Sequence, residues 1–432
     1  MKKKVLIISY SYPPSNVPAA QRPYAVAKYL NKDNFEVTVI TCGNPDPSWG
    51  TNEGFDSSLQ DVNVIKINSW LSPNVTAMRN VNTPKSPTWI SRIKAFVFEK
   101  MATLIVPDQA IFWVPKVSSY LKQNKDLTDS IDIVYTTSPA FSNHLIGRLL
   151  KSKNRNMRWV SELRDFHFIE TVKSATSLKS IINKKLEADI IRKSDKVSFI
   201  SYAMCEIYAK AFQNYKNKFD VVYNGFDVSD FNAIKIDKTR NEKLTIFYAG
   251  SFYKGVRSPG PLLKILDKMI EEKKISSSDF VIQIAGRMEN EIIDEVRNFV
   301  SSSSIEFLGI ISRTEALQRM ANADLLWMIV GSKPTHYTGI PIKFFEYLAV
   351  RRPIINFAPS CSEPTRIITE RNLGWNFHTD DFDLLDSAKL FQKIIIAYKS
   401  DSLSIPLPKI DYPEFNRSDQ AEKFASLFTE DF

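Results

Sequence analysis

The sequence predicts an α/β protein made of two doubly wound parallel sheets in series. Three observations lead there. Apolar runs of strand length alternate with amphipathic runs of helix length through most of the 432 residues, the pattern of parallel strands joined by crossover helices. That length exceeds one ordinary core, so two units of about 200 residues each are expected. Near the middle, Asn224-Gly225 opens a polar stretch that interrupts the alternation, and Asn-Gly marks a turn because glycine tolerates positive φ.

The first strand is expected at 5–9. Its basic start, Met1-Lys2-Lys3-Lys4, mimics a signal peptide, but the apolar stretch is too short and runs into Tyr10, Tyr12 and two prolines. Six further strands are expected at 37–41, 62–67, 133–137, 159–163, 196–200 and 221–223. A second set is expected at 244–249, 280–285, 305–308, 324–330 and 353–357. The domains that follow are an N-terminal unit at 1–225, a linker at 226–243 and a C-terminal unit at 244–410. Within 411–432, "NRSDQAEKFASLF" has the pattern of one last amphipathic helix. No internal repeat or low-complexity tract is present.

Residues 68–120 break the rhythm. Within them a helix at 89–105 carries Ile90, Ile93, Val97, Met101 and Leu104 at helical spacing, with Arg92, Lys94 and Lys100 among them. Such a helix suits an anionic membrane surface. Packing against a core is the competing explanation.

A hydrophobic share of 44% with 24% charged residues is that of a globular chain, and no run of ~18 apolar residues suggests a spanning helix. The three cysteines, Cys42, Cys205 and Cys361, are odd in number and far apart. They indicate neither a disulfide framework nor a zinc site, and a reducing, cytoplasmic setting fits. Asp381 and Asp383 sit in a polar segment away from any central strand, so no metal site is expected. The net charge of +9 favours an anionic partner: a nucleotide diphosphate, an anionic lipid surface or nucleic acid. A mildly basic solvated surface explains it equally well. No nucleic-acid-binding motif or dense basic stripe is present, so nucleic acid is not expected.

In open α/β sheets ligands gather at the carboxyl ends of strands, and two such units predict a site in a cleft between them. The stretch "SYSYPPSNVPAAQRP" occupies the position of a phosphate loop but has no glycine. Pro18 lacks a donor and Val17 restricts close approach, so an acceptor-side role with Asn16 and Arg22 as polar contacts is expected. Glycine is scarce, 13 residues in all, and concentrated after the midpoint. There "YAGSFYKGVRSPG" follows a strand, with Gly250 and Ser251, then Lys254 and Arg257, before a helix. Small residues let a diphosphate approach, and cations with a helix N-terminus stabilise its charge. "AGR" adds Gly286 and Arg287. In "TGIPIKFFEYLAVRRPI", Lys343 and Glu346 share a helix face, one suited to phosphate and the other to two ribose hydroxyls. In the first half, His144 follows one strand, and Glu162, Arg164 and Asp165 end another. A histidine could exchange a proton with an acceptor hydroxyl and a carboxylate could bind it. Structural ion pairs or surface residues are the competing reading for each of these groups.

In this order, "SPAFSNHLIGRLL", "ELRD", "NGFD", "YAGSFYKG", "AGR" and "KFFEYLAVRRPI" resemble the motif series of family 4 glycosyltransferases of the GT-B fold, two Rossmann-like domains facing each other across a cleft. The resemblance covers nearly the whole chain. It implies retaining transfer of a hexose-type sugar from a nucleotide diphosphate sugar to a hydroxyl, with no metal or other cofactor required. It assigns Glu346 to the ribose, Lys254 and Arg257 to the diphosphate, and Arg164 with Asp165 to the acceptor side. It also implies that the last helix crosses back onto the first domain. The family's first glutamate is replaced by Thr338, and its paired glycines are missing from the opening loop. Basic charge and the helix at 89–105 suggest a glycan or lipid-linked acceptor at the inner face of the cell membrane, in cell-envelope or surface polysaccharide synthesis. A sugar-nucleotide epimerase or a non-catalytic binding protein of the same fold is the alternative.

Overall fold

The structure is a computed structural model that describes residues 1–47, 50, 59, 61–70, 105–167, 178–235, 241–253, 256–400 and 412–430. The chain forms two units, Met1–Tyr223 with Arg417–Phe432, and Asn224–Asn416. Lys254 and the expected helix at 89–105, apart from its last residue, lie outside the described residues.

The N-terminal unit runs β1 (Lys3–Ile8), α1 (Pro18–Tyr29), β2 (Phe35–Cys42), β3 (Val62–Ile67), α2 (Val114–Gln123), α3 (Lys125–Asp129), β4 (Ile133–Thr137), α4 (Ser142–Lys153), β5 (Arg158–Leu163), α5 (Leu178–Lys193), β6 (Lys196–Phe199), α6 (Tyr202–Ala211) and β7 (Phe219–Val221). Its seven strands are parallel in the order β3-β2-β1-β4-β5-β6-β7. Helices cover both faces, so central strands are apolar throughout instead of alternating. Leu6 and Ile8 pack with Trp113 and Trp159 on one face, and Val5 and Ile7 with Tyr135, Phe424 and Phe428 on the other.

The C-terminal unit runs β8 (Leu244–Ala249), α7 (Gly260–Glu271), β9 (Phe280–Ala285), α8 (Asn290–Arg297), β10 (Ile305–Gly309), α9 (Arg313–Asn322), β11 (Leu325–Ile329), α10 (Pro334–Tyr337), α11 (Ile342–Val350), β12 (Ile354–Ala358), α12 (Glu363–Arg371), β13 (Gly374–His378) and α13 (Leu384–Lys399). Its six parallel strands follow the order β10-β9-β8-β11-β12-β13. Ser312, Ser362 and Asp383 cap α9, α12 and α13 by accepting from backbone N–H groups three residues on, which satisfies donors the first helical turn leaves open. Arg351, in the left-handed conformation at φ 57°, ends α11. The last helix, α14 (Arg417–Thr429), returns to the N-terminal unit and brings Phe424 and Phe428 against Tyr135.

Two features depart from the sequence reading. The strand β13 was not expected, because Gly-Trp-Asn-Phe-His is a half-buried edge segment with no continuous apolar run. The start of the expected linker folds onto the C-terminal unit. Phe226 N donates to Phe415 O, Asp227 caps a turn, Asp230 pairs with Arg313 and Lys235 N donates to Gln318 Oε1. Polar residues that look like linker are here paired with partners far along the chain. No helix among the described residues is long and apolar enough to cross a membrane.

Candidate functional site

In each sheet the strand order reverses once, beside β1 and β4 in the first and beside β8 and β11 in the second. Loops leaving the two strands at such a point diverge and open a crevice at their carboxyl ends. Most of the sequence-predicted residues lie on those loops or the ones beside them.

In the C-terminal unit Gly250 follows β8 with φ 147°, and Gly286 follows β9 with φ 148°. A Cβ on Gly286 would overlap the Gly250 carbonyl, so both positions require glycine for backbone shape and for the close approach of two chains. Gly250 N donates to Ala285 O at 2.8 Å. A Cβ on Gly250 would lie 3.3 Å from Lys343 Nζ. Lys343, only 9% exposed, extends from the first turn of α11 to donate to Ala249 O at 3.2 Å. Its ammonium sits 3.8 Å from the centroid of Tyr248, a cation–π contact. Burial and nearby Arg257 pull the Lys343 pKa well down, against an upward pull from Glu346. An arriving anion would reverse that shift by favouring the charged amine. Burial holds Tyr248 as a phenol, its pKa pushed up to about 12.

Glu346, one turn further along α11, is held by Arg313 Nη2 at 3.3 Å. Ser251 accepts from Tyr248 at its carbonyl. Arg257 ends a tight turn in which its N–H donates to Tyr253 O at 2.9 Å, and its buried Nε has no hydrogen-bond partner among the described residues. Arg287 is exposed, with its carbonyl accepting from Phe252 N. Thr338, where the resembling family has a glutamate, is 2% exposed and donates to Pro334 O. Its hydroxyl finishes α10. The structure thus places Gly250 against Gly286 and Lys343, ties Ser251 to Tyr248, and sets Arg257 and Glu346 within electrostatic reach of Lys343.

In the N-terminal unit Glu162, at the end of β5, is fully buried. Arg22 Nε lies 3.1 Å from it and Arg164 Nε 3.9 Å, and the Thr137 and Tyr135 hydroxyls donate to Oε2. Arg22 differs from the expected open acceptor contact. It is 5% exposed and donates to Gln420 Oε1 and to the Val222 and Tyr223 carbonyls, with its guanidinium over the Phe424 ring. The reason is buried charge: Glu162 needs a cation at that depth. Arg164 donates to the Ser138 and Ala19 carbonyls, which ties the ends of β4 and β5 to the first turn of α1. Asp165 and Asn16 are exposed.

His144 is fully buried in α4. Thr136 Oγ1 accepts from Trp159 Nε1 at 2.9 Å and lies 2.8 Å from His144 Nδ1. A hydroxyl has two lone pairs, so Thr136 either donates to Nδ1 or accepts from it according to the tautomer, and the other ring nitrogen is Nε2. That nitrogen has no partner among the described residues. Burial, then the neighbouring His167, lowers the His144 pKa to about 3. A histidine with a depressed folded-state pKa contributes stability that is complete above its unfolded value of about 6.5 and is lost as pH falls toward the folded one. Urea stability measured between about pH 7 and about pH 4 should therefore fall less steeply in His144→Asn than in the parent. Equal slopes would contradict this account.

Sequence reasoning singled out neither Glu162 as a hub nor Tyr248, Gly331 and His336 near the cations. Only the scarcity of glycine pointed toward Gly331.

The fold has solved counterparts. Sucrose-phosphate synthase from Thermosynechococcus elongatus is 15% identical with a TM-score of 0.58, covering 99% of this chain and 98% of that one. The lipopolysaccharide outer core galactosyltransferase WaaB matches with 15% identity and a TM-score of 0.58, over 98% of each chain. An α,α-trehalose-phosphate synthase (UDP-forming) from Burkholderia xenovorans matches with 10% identity and a TM-score of 0.54, over 99% of each. No protein-family model matches the chain, and no curated protein does. Likeness over both units end to end makes this the GT-B fold, with two Rossmann-like domains.

Proposed function

We propose that the chain is a glycosyltransferase of the family 4 type, moving a sugar from a nucleotide diphosphate sugar to a hydroxyl with retention of anomeric configuration. The observation that carries this reading is the wall at the β8–β11 crevice. Gly250 and Gly286 hold φ values that side chains rarely adopt, Lys343 Nζ lies against Gly250, and Arg257 and Glu346 lie within electrostatic reach of Lys343. The bond from the anomeric carbon to the diphosphate breaks, the acceptor oxygen bonds to that carbon, and the acceptor proton leaves with a base or the departing phosphate. Negative charge grows on the leaving diphosphate, so cations placed there favour the transition state over the ground state. Lys343 and Arg257 supply that charge without a metal. Glu346 takes the ribose, and Gly286 with Arg287 borders the base. The N-terminal unit presents the acceptor side, with exposed Asp165 and Asn16 as contacts, Arg164 as the residue shaping that surface and His144 as a neutral imidazole. The acceptor is a glycan or lipid-linked glycan in envelope or surface polysaccharide synthesis at the inner membrane face.

A panel of labelled nucleotide sugars, with and without a chelator and a lipid-linked acceptor, tests the reading. Transfer that survives the chelator and keeps the anomeric configuration supports it. Interconversion of the donor sugar alone would make the protein an epimerase, and binding without turnover a non-catalytic protein. Removing the charged acceptor with Glu346→Ala should weaken nucleoside diphosphate binding by about 2 kcal/mol, roughly 30-fold. Unchanged affinity would remove Glu346 from the site.

A further inference from the structure

Beyond Arg257 the crevice has a second wall that the reading above does not use. Gly331 follows β11, across the switch point from Gly250. A Cβ on Gly331 would overlap Nδ1 of His336, so the imidazole lies directly on the bare backbone there. His336 is placed by α10, where its N–H donates to Lys333 O at 2.7 Å. Its Nδ1 is buried with no hydrogen-bond partner among the described residues, as is Arg257 Nε.

The charged groups acting on the ring are Arg257, from the loop after β8, and Lys333, at the start of α10. Arg257 in turn lies within electrostatic reach of Tyr248 and of Lys343, which has Glu346 on its other side. Tyr337 follows on α10. Arg257 and His336 are otherwise half-buried, and with Arg257 on one side of the crevice and Lys333 on the other they suit an elongated anion such as two linked phosphates.

We propose that His336 is a ligand of the diphosphate and takes up a proton when that anion binds. The inference rests on the donor-site reading above. Without a ligand, burial and the two cations hold the imidazole below its ordinary range, so it is neutral at neutral pH. A bound diphosphate reverses the sign of the surrounding charge and favours imidazolium. By linkage, affinity rises as pH falls through the bound-state value and levels off below the free-state one. The proton makes the hydrogen bond to phosphate charge-assisted.

Calorimetric titration of the full chain with UDP, ADP, GDP and dTDP, in buffers of low and high ionisation enthalpy, reads the proton directly. The expected result is binding by at least one nucleotide with net proton uptake at about pH 7.5 and an affinity that rises by at most about tenfold per unit fall in pH. His336→Gln, which keeps a hydrogen-bonding group of similar length, should still bind that nucleotide but lose the uptake. Binding by the parent without uptake, or uptake that survives in His336→Gln and disappears in Lys343→Met, overturns the inference and leaves the donor site standing. No binding of any of the four nucleotides overturns both.

Discussion

Lys343→Met is expected to lower sugar transfer about 10²- to 10³-fold, the usual loss when one preorganised electrostatic group is removed, with the fold intact. Methionine matches the lysine stem in length and keeps its packing against Tyr248, so the change isolates the charge. Lys343 is positioned by three independent constraints: α11 places its Cα, the Ala249 carbonyl holds its Nζ at 3.2 Å, and the Tyr248 ring lies 3.8 Å beneath. A cation fixed in this way needs no reorganisation as the diphosphate departs. Lys343→Arg should rescue little, because a planar guanidinium does not reproduce the point charge that Lys343 sets between Ala249 O and the Tyr248 ring. Turnover measured at saturating donor, with circular dichroism as the fold control, decides the matter. Activity within threefold of the parent would remove Lys343 from the leaving-group site.

Glu162→Gln should destabilise the N-terminal unit by about 3–5 kcal/mol, the range for removing one partner of a buried charge network. The loss has two parts. Arg22 and Arg164 keep their charges in a site that is at most 8% exposed. In addition, the new amide must turn its NH₂ either toward Arg22 or toward the hydroxyls of Tyr135 and Thr137, which already donate to Oε2. Toward Arg22 donor faces donor, and toward the hydroxyls Tyr135 and Thr137 must rotate to accept, which costs each the bond it now donates. Urea unfolding followed by tryptophan emission reports on this unit through Trp113 and Trp159. Combining Glu162→Gln with Arg22→Met should recover part of the loss, since one uncompensated charge disappears with its partner. A change below about 1 kcal/mol would show that the network is not a stability element.

These two residues show how unevenly the site could be read from sequence. Lys343 and Glu346 were visible as a pair because helix geometry places residues three apart on one face. Gly250 and Gly286 were visible because a glycine-poor chain kept them at strand ends. Glu162 was visible only as a charged residue ending a strand. Its partner Arg22 stands on a different element in a loop–helix segment that looked like an open contact, and nothing local links the two. His336 carried no pattern at all, since its meaning comes from Gly331 below it and Arg257 beside it.

By itself the sequence determined the local elements. Strand-length apolar runs located twelve of the thirteen strands among the described residues, because a strand covered on both faces must be apolar along its whole length. It also determined which stretches could let a ligand approach the backbone, since glycine alone tolerates the φ values at Gly250 and Gly286. The tertiary structure alone decided which charges are paired in the core and which stand beside the glycines. Arg22 and Lys343 are both cations on helices that follow a strand end. Arg22 is neutralised at depth by Glu162 and donates to Gln420, whereas Lys343 reaches a backbone carbonyl and an aromatic face beside two glycines. Pairing between residues 140 positions apart, as in Arg22 with Glu162, depends on strand order. Strand order is set by crossovers and twist acting over the whole sheet, and no window of sequence contains it.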